Sequence, residues 1–576
     1  MNYCDSIYQT VRRKTREVMV GSVGVGGQNP IRIQSMTTTN TRDVSKTIDQ
    51  IARLSDAGCE IIRVTVQGKL EAQSCEKIKC GLIQRGLTIP LVADIHFYPP
   101  AAMLVADFVD KIRINPGNFV DQRAQFKIIE YDDASYAREL IKIEEAFSPL
   151  VEKCKRLKRS LRIGANHGSL SDRIMNRYGN TPRGMVESAL EFTKVCRQMD
   201  FHDLIFSMKA SNPIVMMEAY RLLACEMKRL DWDYPFHLGV TEAGAGEDGR
   251  IKSAMGMGAL LLDGIGDTIR VSLTEDPVSE IDPCRRLVTL FEENLGRGIE
   301  PFAEKHRLTP RTARPFLHRD GAVVVKASSS EIASLTVQPD ALWIDEAVQE
   351  NGVRTFDSSS VCVHSKGLWP SSCPDPEFIL FHPKISPVHE TRRFVDDLKE
   401  RGIDTPVILS LSYGESAEEV IIRASAEAGA VLADRLVEGI CIEFNAPIDV
   451  KTKLSFNILQ SARMRMSKTE FISCPGCGRT LFDLQTVAQR IREKTGHLPG
   501  VKIAIMGCIV NGPGEMADAD FGFVGSKSGK IDLYVQKTCV KRDIDMADGP
   551  DELIQLIISH GRWVEPNCAT FRLIAQ

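Results

Sequence analysis

Residues 471–480 read FISCPGCGRT and place Cys474 and Cys477 in a C-x2-C pair. Cys508 follows in MGCIVNGPGE, just after the apolar run Val501–Met506, and Glu515 stands beyond the Gly512-Pro513-Gly514 turn. A C-x2-C loop lets two thiolates converge on one metal centre, and Gly476 relieves crowding around it. A closed zinc site wants four nitrogen or sulfur ligands. Only three thiolates can be nominated here, because Cys539 and Cys568 have no partner at ligand spacing. Three thiolates plus a carboxylate suit a [4Fe–4S] cluster with one distinctive iron, since carboxylate is the harder, more exchangeable ligand. Spacing alone favours that cluster and leaves structural zinc and a redox dithiol open.

A second constellation occupies the N-terminal half. Arg63, Arg113, Arg162 and Arg270 lie in four different β-rich runs, flanked by apolar residues, and Lys209 ends a fifth. A cation in a strand buried on both faces is costly unless it has a partner or reaches the open end. Internal pairing with Asp94, Glu242 or Asp267 is the alternative, but three acids cannot neutralise five cations. An external anion with more than one phosphate is favoured, and arginine suits bidentate phosphate recognition. The same run ends supply Gln34-Ser35, Asp94 with His96, Asn115 to Asn118, Asn166 to Ser169, Thr241 to Gly244, and Ser272. Together they suit a polyhydroxylated, phosphorylated ligand.

These residues need elements to position them. Eight β-rich runs (31–35, 60–66, 90–95, 111–114, 161–166, 204–209, 236–241 and 268–273) alternate with segments of helical apolar spacing. Eight βα units predict a TIM-type (β/α)8 barrel, whose strand C-termini build one mouth. An open doubly wound sheet is the alternative. The glycine-rich stretch Gly21–Gly27 lacks a Lys-Ser/Thr ending and precedes the first barrel strand, so a turn or hairpin closing the barrel base is expected rather than a nucleotide loop. Residues 297–318 read as a crossover. Six β-rich runs between Ala322 and Ala446 then suggest an inserted α/β domain, a degenerate barrel-like unit serving as a structural spacer. Its strand ends offer Lys326, Asp345 and Ser365 without a convergent pattern. The expected domains are 1–296, 297–450 and an α+β tail, 451–576.

Among 576 residues, 72 Lys and Arg face 76 Asp and Glu, a net charge of −4. That balance argues against a basic nucleic-acid coat. No apolar run approaches the ~20 residues of a membrane span. The N-terminus, MNYCDSIYQTVRRKTREVMVGS, lacks the apolar core of a signal peptide, so a cytoplasmic location is expected. Sixteen cysteines in a reducing compartment should be thiols, most of them filling cores, as at Cys59, Cys196 and Cys225.

The runs ADIHF, DKIRINPGN, IGANHGSLSDRI, SMKASNP, HLGVTEAG, GDTIRVSLTEDP, FISCPGCGRTLFDL and MGCIVNGPGE resemble the 4-hydroxy-3-methylbut-2-enyl diphosphate synthase family of non-mevalonate isoprenoid synthesis. The middle resembles the insert of that family's long form. The resemblance implies reductive dehydration and ring opening of 2-C-methyl-D-erythritol 2,4-cyclodiphosphate, with one [4Fe–4S] cluster per chain and ferredoxin or flavodoxin as electron donor. It assigns the phosphates to Arg63, Arg113, Arg162, Lys209, Arg270 and Ser272, and the carbon skeleton to Asp94, His96, Asn115, Asn166 and Glu242. Of these, Glu242 is the candidate for proton delivery or hydroxyl orientation. Cys474, Cys477 and Cys508 would ligate the cluster, with Glu515 as displaceable fourth ligand. A monomer or homodimer is expected, with no nucleic-acid or membrane partner. The rivals are a non-redox phosphate-binding barrel resembling dihydropteroate synthases with a zinc-stapled tail, and a zinc-dependent nucleic-acid binder.

Overall fold

The computed structural model describes residues 2–95, 98–121, 131–300, 309–310, 312–332, 335–344, 354–356, 361–364, 376–509, 514, 516 and 518–565. A hairpin of β1 (Glu17–Val20) and β2 (Val23–Gly26) precedes eight parallel strands. These are β3 (Arg32–Met36), β4 (Ile61–Thr65), β5 (Leu91–Asp94), β6 (Lys111–Ile114), β7 (Ser160–Asn166), β8 (Leu204–Lys209), β9 (His237–Leu238) and β10 (Thr268–Ile269). Their order is β8-β7-β6-β5-β4-β3-β10-β9, and a parallel bridge from Phe206 to Phe236 closes the ring. The barrel is therefore closed, and the open-sheet alternative fails.

Strand alternation explains both ends of this barrel. Val18, Val20 and Val25 of the hairpin pack on Ile61, Val92 and Ile205 and fill its base. Side chains two residues apart share a strand face. The alternation that sends Ile61, Val92 and Ile205 to the floor therefore sends Arg63, Asp94 and Lys209 toward the mouth. The surrounding helices start on side-chain caps, as where Asp43 accepts the Lys46 N–H, and Thr181 and Asn212 cap helices opened by Pro182 and Pro213.

Among the described residues the insert contains seven parallel strands: β11 (Ala322–Lys326), β12 (Ala341–Trp343), β13 (Arg354–Phe356), β14 (Val361–His364), β15 (Phe378–Phe381), β16 (Val407–Ser412) and β17 (Gly439–Glu443). Their order, β13-β12-β11-β17-β16-β15-β14, is that of a barrel open between β13 and β14. Three-residue β13 is the strand the sequence pattern did not resolve. Asp345 and Ser365 lie outside the described residues. The helix Ile448–Ser461 packs on β11 and β17, so the expected boundary after 450 falls inside an insert helix.

Insert and barrel meet along two helices, Gly246–Leu262 and Ala417–Ala433. Small residues allow the approach: a Cβ on Gly258 would stand 2.3 Å from the Ala426 Cβ. Beside this contact, Arg392 reaches Asp263 at 2.8 Å and Asp434 at 3.3 Å, while Arg221 reaches the same two acids at 2.8 and 2.6 Å.

The tail sheet runs β18 (Glu470–Ser473), β19 (Lys502–Met506), β20 (Phe521–Lys527), β21 (Lys530–Val535) and β22 (Thr538–Asp545). The first three are parallel and the last two antiparallel. Helices Leu484–Thr495 and Gly549–Ser559 cover a core containing Phe471, Ile491, Ile503, Phe523 and Leu553. Among the described residues no helix is long and apolar enough to cross a membrane.

Candidate active site

The tail roofs the barrel mouth of its own chain. Ser473 at the end of β18 bridges Ala243 in parallel, and its hydroxyl accepts from Thr274 Oγ1 at 3.1 Å. Lys252 donates to the Phe471 carbonyl at 3.0 Å and pairs with Glu470 at 3.2 Å. A cavity of about 80 Å³ lies between roof and mouth. Its walls include Arg63, Asp94, Arg113, Asn166, Lys209, Glu242, Arg270 and Ser272 from the barrel, and Cys474, Cys477 and Cys508 from the tail.

Parallel pairing of β18 with β19 accounts for the gathering of the thiols. Ser473 stands opposite Ile505, so the residues leaving both strands, Cys474 and the Gly507-Cys508 pair, emerge at the same edge. The Gly507 N–H donates to Cys474 Sγ at 3.3 Å, and Gly476 turns the intervening loop at φ +72°. Burial pushes the Cys474 thiol far above its ordinary value. Thiolate is thus unfavourable there without a metal's positive charge to hold it. Among the described residues no three His, Cys, Asp or Glu side chains gather around a single-ion position. Glu515 and His96 lie outside the described residues.

Opposite the thiols, the barrel wall is cationic. Arg113 donates to Asp94 Oδ1 at 3.0 Å, to the Gly164 carbonyl at 2.9 Å and to Asn166 Oδ1 at 3.0 Å. Burial, reinforced by Arg270, Arg113 and Arg479, brings the Arg63 guanidinium down to about 10 despite Asp94. Lys209 is pushed well below its ordinary value by burial, then by Arg63, Arg270, Arg162 and Arg113. A diphosphate entering this cavity would relieve that mutual repulsion. Two inward glycines make room for these cations. A Cβ on Gly164 would stand 2.6 Å from Arg113 Nε, and one on Gly239 would stand 2.4 Å from Lys209 Nζ.

Internal neutralisation differs from the expected pattern. Asp94 does pair with Arg113, but Asp267 precedes β10 and faces the barrel base, where it accepts from the Phe236 N–H at 2.8 Å and from Arg12 at 3.3 Å. The partner of Arg270 is Glu280, which the sequence reading missed. Two candidates are not brought to the cavity wall. Asn115 caps the short helix Pro116–Phe119 by accepting the Gly117 N–H at 3.2 Å, and its amide donates to Ser169 at 2.8 Å. Arg162 lies within the barrel, 1% exposed and absent from the cavity lining, and its Nε and Nη1 make no hydrogen bond among the described residues. Glu242 reaches the cavity from a left-handed backbone, φ +48°, a conformation few non-glycine residues hold. Arg479, two residues beyond Cys477, also enters the cavity and reaches Asp94 at 3.4 Å. Its place inside FISCPGCGRT was the available signal.

Comparison with known proteins bears on this arrangement. A family model described as the GcpE TIM-barrel domain matches residues 15–285, and one described as the GcpE protein C-terminal domain matches 470–559. The chain is 53% identical to the 4-hydroxy-3-methylbut-2-en-1-yl diphosphate synthase (flavodoxin) of Protochlamydia amoebophila, over 98% of each chain. It is 47% identical to the chloroplastic ferredoxin enzyme of Arabidopsis thaliana, over 98% of this chain and 90% of that one. It is 48% identical to the flavodoxin enzyme of Chlamydia pneumoniae, over 96% of this chain and 97% of that one. These similarities span barrel, insert and tail alike, and the chain belongs to the GcpE family of 4-hydroxy-3-methylbut-2-en-1-yl diphosphate synthases.

Proposed function

We propose that the chain opens the ring of 2-C-methyl-D-erythritol 2,4-cyclodiphosphate, taking up two electrons and losing water, to give (E)-4-hydroxy-3-methylbut-2-enyl diphosphate. The observation that carries this reading is the shared cavity, in which the tail thiols face the cationic barrel wall. Cys474, Cys477 and Cys508 would hold one [4Fe–4S] cluster per chain, with Glu515 as the fourth ligand. The cluster, when bound, supplies the electrons that side chains cannot. Ferredoxin or flavodoxin, the donors named for the relatives, would recharge it. The thiol-rich composition fits a reducing cytoplasm.

The chain's own residues then have separable tasks. Arg63, Arg113, Lys209, Arg270 and Ser272 bind the diphosphate and hold the charge that develops as the ring opens. Asn166, already oriented by Arg113, and Asp94 position hydroxyl groups of the carbon skeleton. Glu242 holds the proton that leaves with the hydroxyl as water. Arg162 lies behind these cations, its guanidinium pushed well below its ordinary value by burial and then by Arg63 and Arg113, and it adds positive charge beneath the mouth. The roof excludes water and strengthens each of these interactions.

Anaerobic purification tests the reading. A brown protein with absorption near ~400 nm, containing iron and inorganic sulfide, supports it. Turnover of the cyclodiphosphate with a reduced dye completes the test. A colourless protein holding one zinc overturns it. Within the cluster assignment, Cys508→Ala should lose iron, whereas Glu515→Ala should retain it. Equal loss from both would remove the exchangeable-ligand assignment.

A further inference from the structure

Arg479 differs from every other cation of the cavity in what carries it, and from Arg113 and Arg270 in how loosely it is held. The others rise from barrel strands; Arg479 descends from the tail, in the loop that leaves Cys477. Arg113 is fixed by three acceptors of the barrel and Arg270 by two oxygens of Glu280. Among the described residues Arg479 makes one hydrogen bond, a long one from Nη2 to Asp94 Oδ2 at 3.4 Å. Its remaining N–H groups are uncommitted there, although the side chain is only 8% exposed. A buried guanidinium with one long bond is held far below its donor capacity. Asp94 is in turn divided, with one oxygen on Arg113 and the other on Arg479. One carboxylate thus serves two guanidinium groups across the joint between barrel and tail.

We propose that Arg479 is a substrate-binding residue supplied by the tail, and that Asp94 occupies its guanidinium until a phosphate of the substrate replaces it. The exchange needs no large movement, because both partners already line the cavity that the diphosphate enters. A phosphoryl group presents more acceptors than the single carboxylate oxygen it displaces, and it matches the planar fork of arginine. A diphosphate held by Arg63 and Lys209 below and by Arg479 above would clamp roof to mouth. Binding would then seat the thiol-bearing loop over the carbon skeleton. Asp94, released from Arg479, keeps Arg113 as its partner. This inference rests on the proposed cyclodiphosphate function.

Calorimetric titration of the anaerobically purified, cluster-containing protein with inorganic diphosphate reads the exchange without turnover. Arg479→Ala should weaken binding about tenfold, in line with losing a charged hydrogen-bonded contact. Asp94→Asn should tighten binding, because the competing carboxylate charge is gone, and that gain should vanish in the Asp94→Asn/Arg479→Ala double variant. A gain that persists in the double variant belongs to Arg113 and overturns the proposal. Iron and sulfide content monitors the fold. Arg479→Gln is the second variant should the alanine chain lose iron, and undiminished affinity in a cluster-loaded variant overturns the proposal as well. Lys209→Met separates the two levels of inference. If it binds diphosphate as the parent does, the functional reading itself fails. If it weakens binding while the Arg479 variants do not, only the role of Arg479 is lost.

Discussion

Glu280 grips Arg270 with both carboxylate oxygens, one 2.9 Å from Nε and the other 2.9 Å from Nη2, and both side chains are sealed from solvent. Burial alone would lower the arginine's pKa, but Glu280 outweighs it and holds the value above the ordinary one. The same carboxylate accepts from Ser35 at 2.6 Å and from the Leu273 N–H at 3.2 Å, so it ties β3 and β10 together behind the cavity. Removing one member of such a pair leaves a buried charge uncompensated. Glu280→Ala is expected to destabilise the fold by about 3–5 kcal/mol. Urea unfolding checks this, and a change below 1 kcal/mol would show that water or another acid replaces Glu280.

Gly239 carries no special backbone angle, yet an added Cβ would stand 2.4 Å from Lys209 Nζ and 2.9 Å from the Arg270 carbonyl. The flexible lysine can retreat fully while the carbonyl needs to give by only a few tenths of an ångström, so Gly239→Ala should displace the amine from the cavity wall. The expected result is a rise in KM for the cyclodiphosphate of about tenfold, the cost of one charged contact. Far-ultraviolet circular dichroism and iron content should be retained. An unchanged KM would place Lys209 outside the phosphate site.

Glu470 joins tail to barrel through Lys252 and also pairs with Arg463. Burial would raise its pKa, but these cations overcome burial and bring it down to about 2. Burial also lowers Lys252, so the always-charged Arg463 is the dependable partner. A depressed carboxylate stabilises the fold above its unfolded pKa of ~4.3, and the contribution is lost as pH falls from there toward the folded value. The loss at full protonation is about 3 kcal/mol. Urea midpoints measured from pH 5 down to pH 3 should fall more steeply for the parent than for Glu470→Gln. Parallel profiles would remove Glu470 from the acid response.

Much of this architecture could be read from residue order because strand alternation leaves a strong trace. Arg63, Asp94 and Arg113 stood out as charges inside apolar runs, and those runs became β4, β5 and β6. The FISCPGC and MGC motifs located the thiols because both follow strands that pair in parallel. What escaped was partner choice. Asp267 and Glu280 are both acids near Arg270 in sequence, but one precedes β10 and faces the base while the other follows it and folds back beneath the mouth. Asn115 shows the converse: a polar residue at a strand end can be consumed by capping the next turn. Arg479 escaped because only the docking of tail on barrel gives it a place in the cavity wall.

The valine hairpin under the barrel has a consequence for traffic. With Val18, Val20 and Val25 corking one end, nothing diffuses through the barrel axis. Among the described residues the cavity lies on the tail side of the barrel, and reactant, product and released water pass on that side. Ligand exchange is therefore confined to the tail side of the barrel, and a cross-link between Ser473 and Thr274, whose hydroxyls stand 3.1 Å apart there, is expected to slow it.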